Sequence, residues 1–154
     1  MNVKSKKKLS ALVLVFCLPL SYFIWLSIRS VEVIAVHKDG NYASVLVKDF
    51  PVTDKGKIYW WLANRDKLQI RYGIPKPAAC GGFNITFWDF GDGYKKEGKY
   101  DRLCFDDMQT KISCIDKKPL FTVRRFNNER ALFITYEGRY SLGNDGSIIQ
   151  VDRD

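Results

Sequence analysis

The longest apolar stretch of the chain runs from Leu9 to Ile28, twenty residues without a charged side chain. At a rise of about 1.5 Å per residue, a helix of that length spans roughly 30 Å, the thickness of a bilayer's hydrocarbon core. Lys4, Lys6, Lys7 and Lys8 precede it, and Arg29 follows. Because basic residues are retained on the cytoplasmic side, this asymmetry predicts a cytoplasmic N-terminus and an outward-facing remainder. The chain therefore divides into a basic tail at 1–8, a transmembrane helix at 9–28 that contacts the lipid bilayer, and a folded domain at 29–154. A cleaved signal sequence is the competing reading, but its apolar core is shorter, about 7 to 15 residues, and ends in small residues. Here the run continues through Tyr22, Phe23, Ile24, Trp25 and Leu26, with rings suited to the outer interface of a retained span.

Beyond the span the pattern alternates. Val31 to Val36 is β-branched and reads as a strand, Asp39-Gly40-Asn41 as a turn, and Tyr42 to Val47 as the returning strand. This hairpin starts within a few residues of the span, which places the domain close to the membrane surface. The period then changes. Ile58, Trp61, Leu62, Leu68 and Tyr72 recur at helical spacing, with Thr53 or Asp54 as N-cap and Gly73 and Pro75 ending the helix. Tyr59 and Trp60 fall beside this stripe, so they either widen the buried face or form exposed aromatic surface. From Phe83 onward the chain alternates again. Strands are predicted over Phe83 to Trp88, Tyr100 to Phe105, Ile112 to Ile115, Leu120 to Arg125, Ala131 to Tyr136 and Ser147 to Val151. One main helix packed on a mostly antiparallel sheet gives an α+β domain, with a single core for about 125 residues.

Charge changes the picture only after partition. The formal net charge is +8, but five basic residues flank the span, leaving twenty basic against 17 acidic residues beyond it. A surplus of three is ordinary for a solvated surface, so nucleic acid is not an expected partner. The flanking lysines act instead as topology determinants.

Of the cysteines beyond the span, Cys104 and Cys114 lie on the two arms of one proposed hairpin, which predicts a disulfide between them and leaves Cys80 over. Candidate catalytic groups are scarce. His37 is the single histidine and reads as a turn-edge residue; no nucleophile elbow, metalloprotease helix or phosphate-cradling loop is present. Asp89-Phe90-Gly91-Asp92-Gly93 reads as a glycine-rich loop, and Asp106 and Asp107 as turn residues facing water. No catalytic activity, metal or cofactor is expected, since an enzyme would need a site built from carboxylates alone.

The segments Val31 to His37, Phe50-Pro51-Val52-Thr53-Asp54-Lys55-Gly56-Lys57-Ile58-Tyr59-Trp60-Trp61-Leu62, Phe87 to Tyr94 and Tyr100 to Met108 are long and unusual strings. Through them the chain resembles, over nearly its whole length, the uncharacterised enterobacterial membrane proteins of domain-of-unknown-function family 943. The resemblance implies an inner-membrane protein with its outer domain in the periplasm, where the sequon at Asn84 has no meaning. It carries no catalytic residues. The resulting expectation is a periplasmic domain that binds a protein partner through Tyr59, Trp60, Tyr94 and Arg102, an immunity protein against a delivered toxin being one form of it. An accessory or assembly factor of an envelope complex is the alternative.

Overall fold

The computed structural model describes residues 15, 17–19, 21–22 and 30–151. The chain divides between Ser30 and Val31 into two units. Within the first, Val15, Cys17, Leu18, Pro19, Ser21 and Tyr22 are helical and exposed. The basic tail at 1–8 and the rest of the expected span lie outside the described residues. Among those described, no helix is long and apolar enough to cross a membrane.

The second unit is α+β. Its large sheet has seven strands in the order β1 (Glu32–Asp39), β2 (Tyr42–Lys48), β3 (Phe83–Asp89), β7 (Pro119–Arg125), β8 (Leu132–Ile134), β9 (Arg139–Leu142) and β10 (Ile148–Val151). A smaller three-stranded sheet has the order β4 (Lys95–Lys96), β6 (Ile112–Asp116) and β5 (Arg102–Cys104). All pairs are antiparallel except β2 with β3, which run parallel. A parallel neighbour requires a crossover, and the helix α1 (Asp54–Tyr72) supplies it, making β2–α1–β3 a βαβ unit.

Local chemistry sets the helix ends. Thr53 Oγ1 accepts from the Gly56 N–H at 3.1 Å, satisfying one of the orphan donors of the first turn. Gly73 closes the other end with φ of 67°, a left-handed conformation open to glycine, and its N–H donates to the Gln69 carbonyl at 2.9 Å. Ile58, Trp61 and Leu68 face inward from α1 onto Val45, Val47, Ile85, Phe87, Phe121, Val123 and Phe133 of the sheet. Leu62 and Tyr72 pack against the same core less completely.

Alternation along β2 puts Leu46 on the sheet's opposite face, where it forms a second core with Phe105 and Ile115 of the small-sheet region. Strand β2 is therefore covered on both sides, which explains its run Val45-Leu46-Val47 of fully buried residues. The small sheet is fastened within itself by the Cys104–Cys114 disulfide, whose residues are direct register partners of β5 and β6. Asp116 adds ion pairs to Lys95 and Arg102 from the flanking strands. Cys80 is exposed and free.

Candidate functional site

The most concentrated side-chain chemistry of the domain surrounds His37. In a regular strand His37 would share a face with Val33 and Ala35. A bulge intervenes. Val33 pairs with Val47 and Ala35 with Leu46, leaving Ile34 as the extra residue, after which Val36 pairs with Val45 and His37 with Ser44. Val33 and Val36 consequently both pack toward α1, while Ile34 and Ala35 join the second core. His37 emerges on the small-sheet side, and the expectation of a turn-edge residue is corrected for that reason: its side chain is only 10% exposed.

Three residues of the small-sheet region meet it there. The ring of Phe105 stacks on the imidazole at a centroid distance of 3.8 Å. His37 Nδ1 lies 2.8 and 2.9 Å from the two carboxylate oxygens of Asp107, and Nε2 lies 2.8 Å from the Tyr94 hydroxyl. A neutral imidazole protonated on Nδ1 satisfies every contact: Nδ1–H donates to Asp107, and Nε2 accepts from Tyr94 O–H. Burial first, and the Asp107 charge second, push the Tyr94 phenol above its ordinary pKa, so Tyr94 holds its proton. With both ring nitrogens engaged by neighbouring side chains, the chain Tyr94–His37–Asp107 works as a clasp joining the small-sheet region to β1. A recess of about 680 Å³ opens beside it, lined by His37, Tyr42, Ser44, Phe105, Asp106 and Asp107.

The disulfide belongs to this site by position. Cys104 directly precedes Phe105, and Phe105 N–H donates to the Ser113 carbonyl at 3.0 Å, so the start of the loop that bears Asp107 is tied to β6. Asp107 itself stays half exposed. No side-chain geometry at Asp89 to Gly93 gathers metal ligands; Asp89 Oδ1 accepts from Gly91 N–H in a local turn, and Asp92 pairs with Lys95.

A second recess, of about 480 Å³, lies on the α1 side of the sheet and is lined by Trp61, Arg65, Phe83, Arg125, Arg130 and Leu142. Its arginines are partly committed. Arg125 Nε donates to the Gly81 carbonyl at 2.8 Å and its guanidinium lies 4.9 Å from the Phe83 ring centroid, while Arg130 bonds to Leu142 O and Asn144.

The four residues expected to contact a partner are not gathered into one patch. Tyr59 is well exposed on α1. Trp60 is instead half buried, edge-on to Phe50 and Phe87, because the buried face of α1 is wider than the stripe at Ile58, Trp61 and Leu68. Tyr94 serves the His37 clasp, and Arg102 is held by Asp116 and the Lys96 carbonyl. Sequence reasoning missed the pairing of His37 with Asp107 because they stand 70 positions apart and a bulge sets the meeting face.

No curated protein and no solved structure matches this chain. One family model does, over residues 2–152, under the description Enterobacterial putative membrane protein (DUF943). The chain, with its bulged first strand, βαβ crossover and disulfide-fastened small sheet, belongs to that enterobacterial family.

Proposed function

We propose that this is a single-pass inner-membrane protein with residues 1–8 in the cytoplasm, a transmembrane helix at 9–28 and the domain at 29–154 in the periplasm, where it binds a protein partner. The observation that carries the binding reading is the recess at His37, whose walls are fixed in advance by the clasp and by the Cys104–Cys114 bridge. A prearranged recess loses little entropy on binding, and it combines an apolar wall, Phe105, with carboxylates at Asp106 and Asp107 that suit a basic side chain of the partner. The bridge also fits an oxidising compartment, and the family description fits a membrane address. Immunity against a toxin delivered to the envelope is the form of binding that a small anchored domain of this kind suits best.

Two experiments test this. A reporter active only in the periplasm, fused after Asp154, should be active, and activity of a cytoplasm-only reporter there would overturn the orientation. For the function, the gene and its neighbours are deleted, candidate toxin genes are restored singly with a periplasmic signal, and growth is scored with and without this protein. Rescue by the parent but not by an Asp106→Lys/Asp107→Lys variant supports the recess as the binding face. Failure to rescue from any neighbour, with recovery of an envelope-assembly complex on purification, would replace immunity by the accessory-factor reading.

A further inference from the structure

The N-terminal end of α1 carries a group of exposed apolar and aromatic side chains that neither core uses. Val52, just before the cap, is 78% exposed, and Tyr136, in the turn between β8 and β9, is 94% exposed. They are brought near each other by the buried carboxylate of Asp54, which accepts from Thr135 Oγ1 at 2.6 Å and from Tyr140 O–H at 2.8 Å. Asp54 thus fastens the turn that bears Tyr136 to the first turn of the helix. Lys55 and Tyr59 extend the exposed group along α1, spaced three and four residues on from Val52 and Lys55.

This patch lies at the end of the domain where the chain arrives from its N-terminal segment. Glu32 at the start of β1 pairs with Lys48 at the end of β2, and only four residues, Asp49 to Val52, separate Lys48 from the helix cap. Four residues reach at most about 14 Å. Val52 therefore sits within a short reach of Val31, the first residue after Ser30.

We infer that the patch formed by Val52, Tyr59 and Tyr136 rests on the outer headgroup layer of the membrane and sets the orientation of the domain upon it. The inference builds on the anchor proposed above. Tyrosine suits a site where one end of the ring is apolar and the other wet, and a lysine beside it extends its stem over apolar surface while keeping its charge in water. A tether of a few residues keeps the patch at high effective concentration against the bilayer, so a weak contact is enough. The flanking charges Lys55 and Glu137 are of opposite sign. Contact therefore depends on interfacial partitioning more than on anionic lipid, and it persists at high salt.

The test uses the full chain with Cys17→Ser and Cys80→Ser, reconstituted into phosphatidylcholine vesicles with and without phosphatidylglycerol. A polarity-sensitive fluorophore is attached at Tyr136→Cys, or at Lys76→Cys beyond the far end of the 19-residue helix, roughly 28 Å away. Lipids brominated near the headgroup should quench the label at position 136 at least twofold more than at position 76, in both lipid mixtures and in high salt. Equal quenching at both positions, or none at 136 in protein that floats with the vesicles, overturns the inference and leaves the anchor standing. Protein that fails to float with the vesicles overturns the anchor and the inference together. Val52→Asp with Tyr136→Asp, which touches neither core, should release a label placed at Tyr59→Cys from quenching; persistent quenching there would also sink the idea.

Discussion

Replacing His37 by alanine tests whether the clasp holds the two sheets together. The imidazole is 10% exposed and stacked on Phe105 at 3.8 Å, so truncation removes a buried ring contact and leaves a gap between β1 and the small-sheet region. Ring burial and stacking together contribute about 1–3 kcal/mol. The half-buried Tyr94 hydroxyl loses its partner at 2.8 Å, adding about 1 kcal/mol. Asp107, half exposed, regains water and adds little. The total is about 2–4 kcal/mol. In urea unfolding of the full chain in micelles, followed by tryptophan fluorescence at neutral pH, this corresponds to a midpoint shift on the order of 1–2 M. Asp107→Asn should cost less than about 1 kcal/mol by the same assay, and the double mutant should reveal a coupling of similar small size. A His37→Ala cost within about 0.5 kcal/mol of zero would refute the clasp, as would an Asp107→Asn cost exceeding that of His37→Ala, because ring packing outweighs the hydrogen bond to the half-exposed Asp107.

Asp54→Ala should destabilise by about 2–4 kcal/mol in the same urea series, since it strips a buried acceptor from two hydroxyls at 2.6 and 2.8 Å; a loss below about 1 kcal/mol would show that the helix–turn link is incidental. Opening the Cys104–Cys114 loop, which spans 10 positions, with Cys104→Ser/Cys114→Ser should cost about 2–4 kcal/mol, and mass mapping of the unreduced parent should find Cys80 unbonded; a Cys80 bridge to either residue would contradict the β5–β6 register. Above neutrality the Tyr94 phenol matters. Its folded pKa lies above the ordinary 10.0, so its contribution is complete below that value and is lost as pH rises through the folded pKa, when the unfolded chain has already released the proton. Tyr94→Phe should therefore flatten the fall in stability on going from about pH 9 to pH 11, an expectation that an unchanged slope would defeat.

The helix was legible because its signals are local: a threonine cap, a repeating apolar stripe and a glycine terminator lie within one 19-residue element and its flanks. The first hairpin and the Cys104–Cys114 hairpin were legible for the same reason, their arms lying close together in sequence. The parallel pairing of β2 with β3 was not, because alternation reports which face of a strand is buried but not the direction of its neighbour. The two-residue β4, and β9 with only partly buried residues, give too short and too mixed a pattern to be recognised as strands. Trp60 looked free because a stripe drawn through the fully buried positions understates the helix face, and the aromatic bulk of Phe50 and Phe87 extends the core toward it. The site at His37 escaped for a different reason. Its members come from three segments, at 37, 94 and 105–107, and nothing in their spacing announces that they meet.

The supernumerary Ile34 gives the first strand a margin in length. Side-chain direction in β1 is a matter of parity, and one residue in eight resets it midway. Removing Ile34 would leave Val33 opposite Val47, Ala35 opposite Leu46 and His37 opposite Ser44, so the strand would lose its bulge while His37 still faced Phe105. In an alignment of related chains, a gap of one residue at this point would therefore mark a straightened strand with the recess retained.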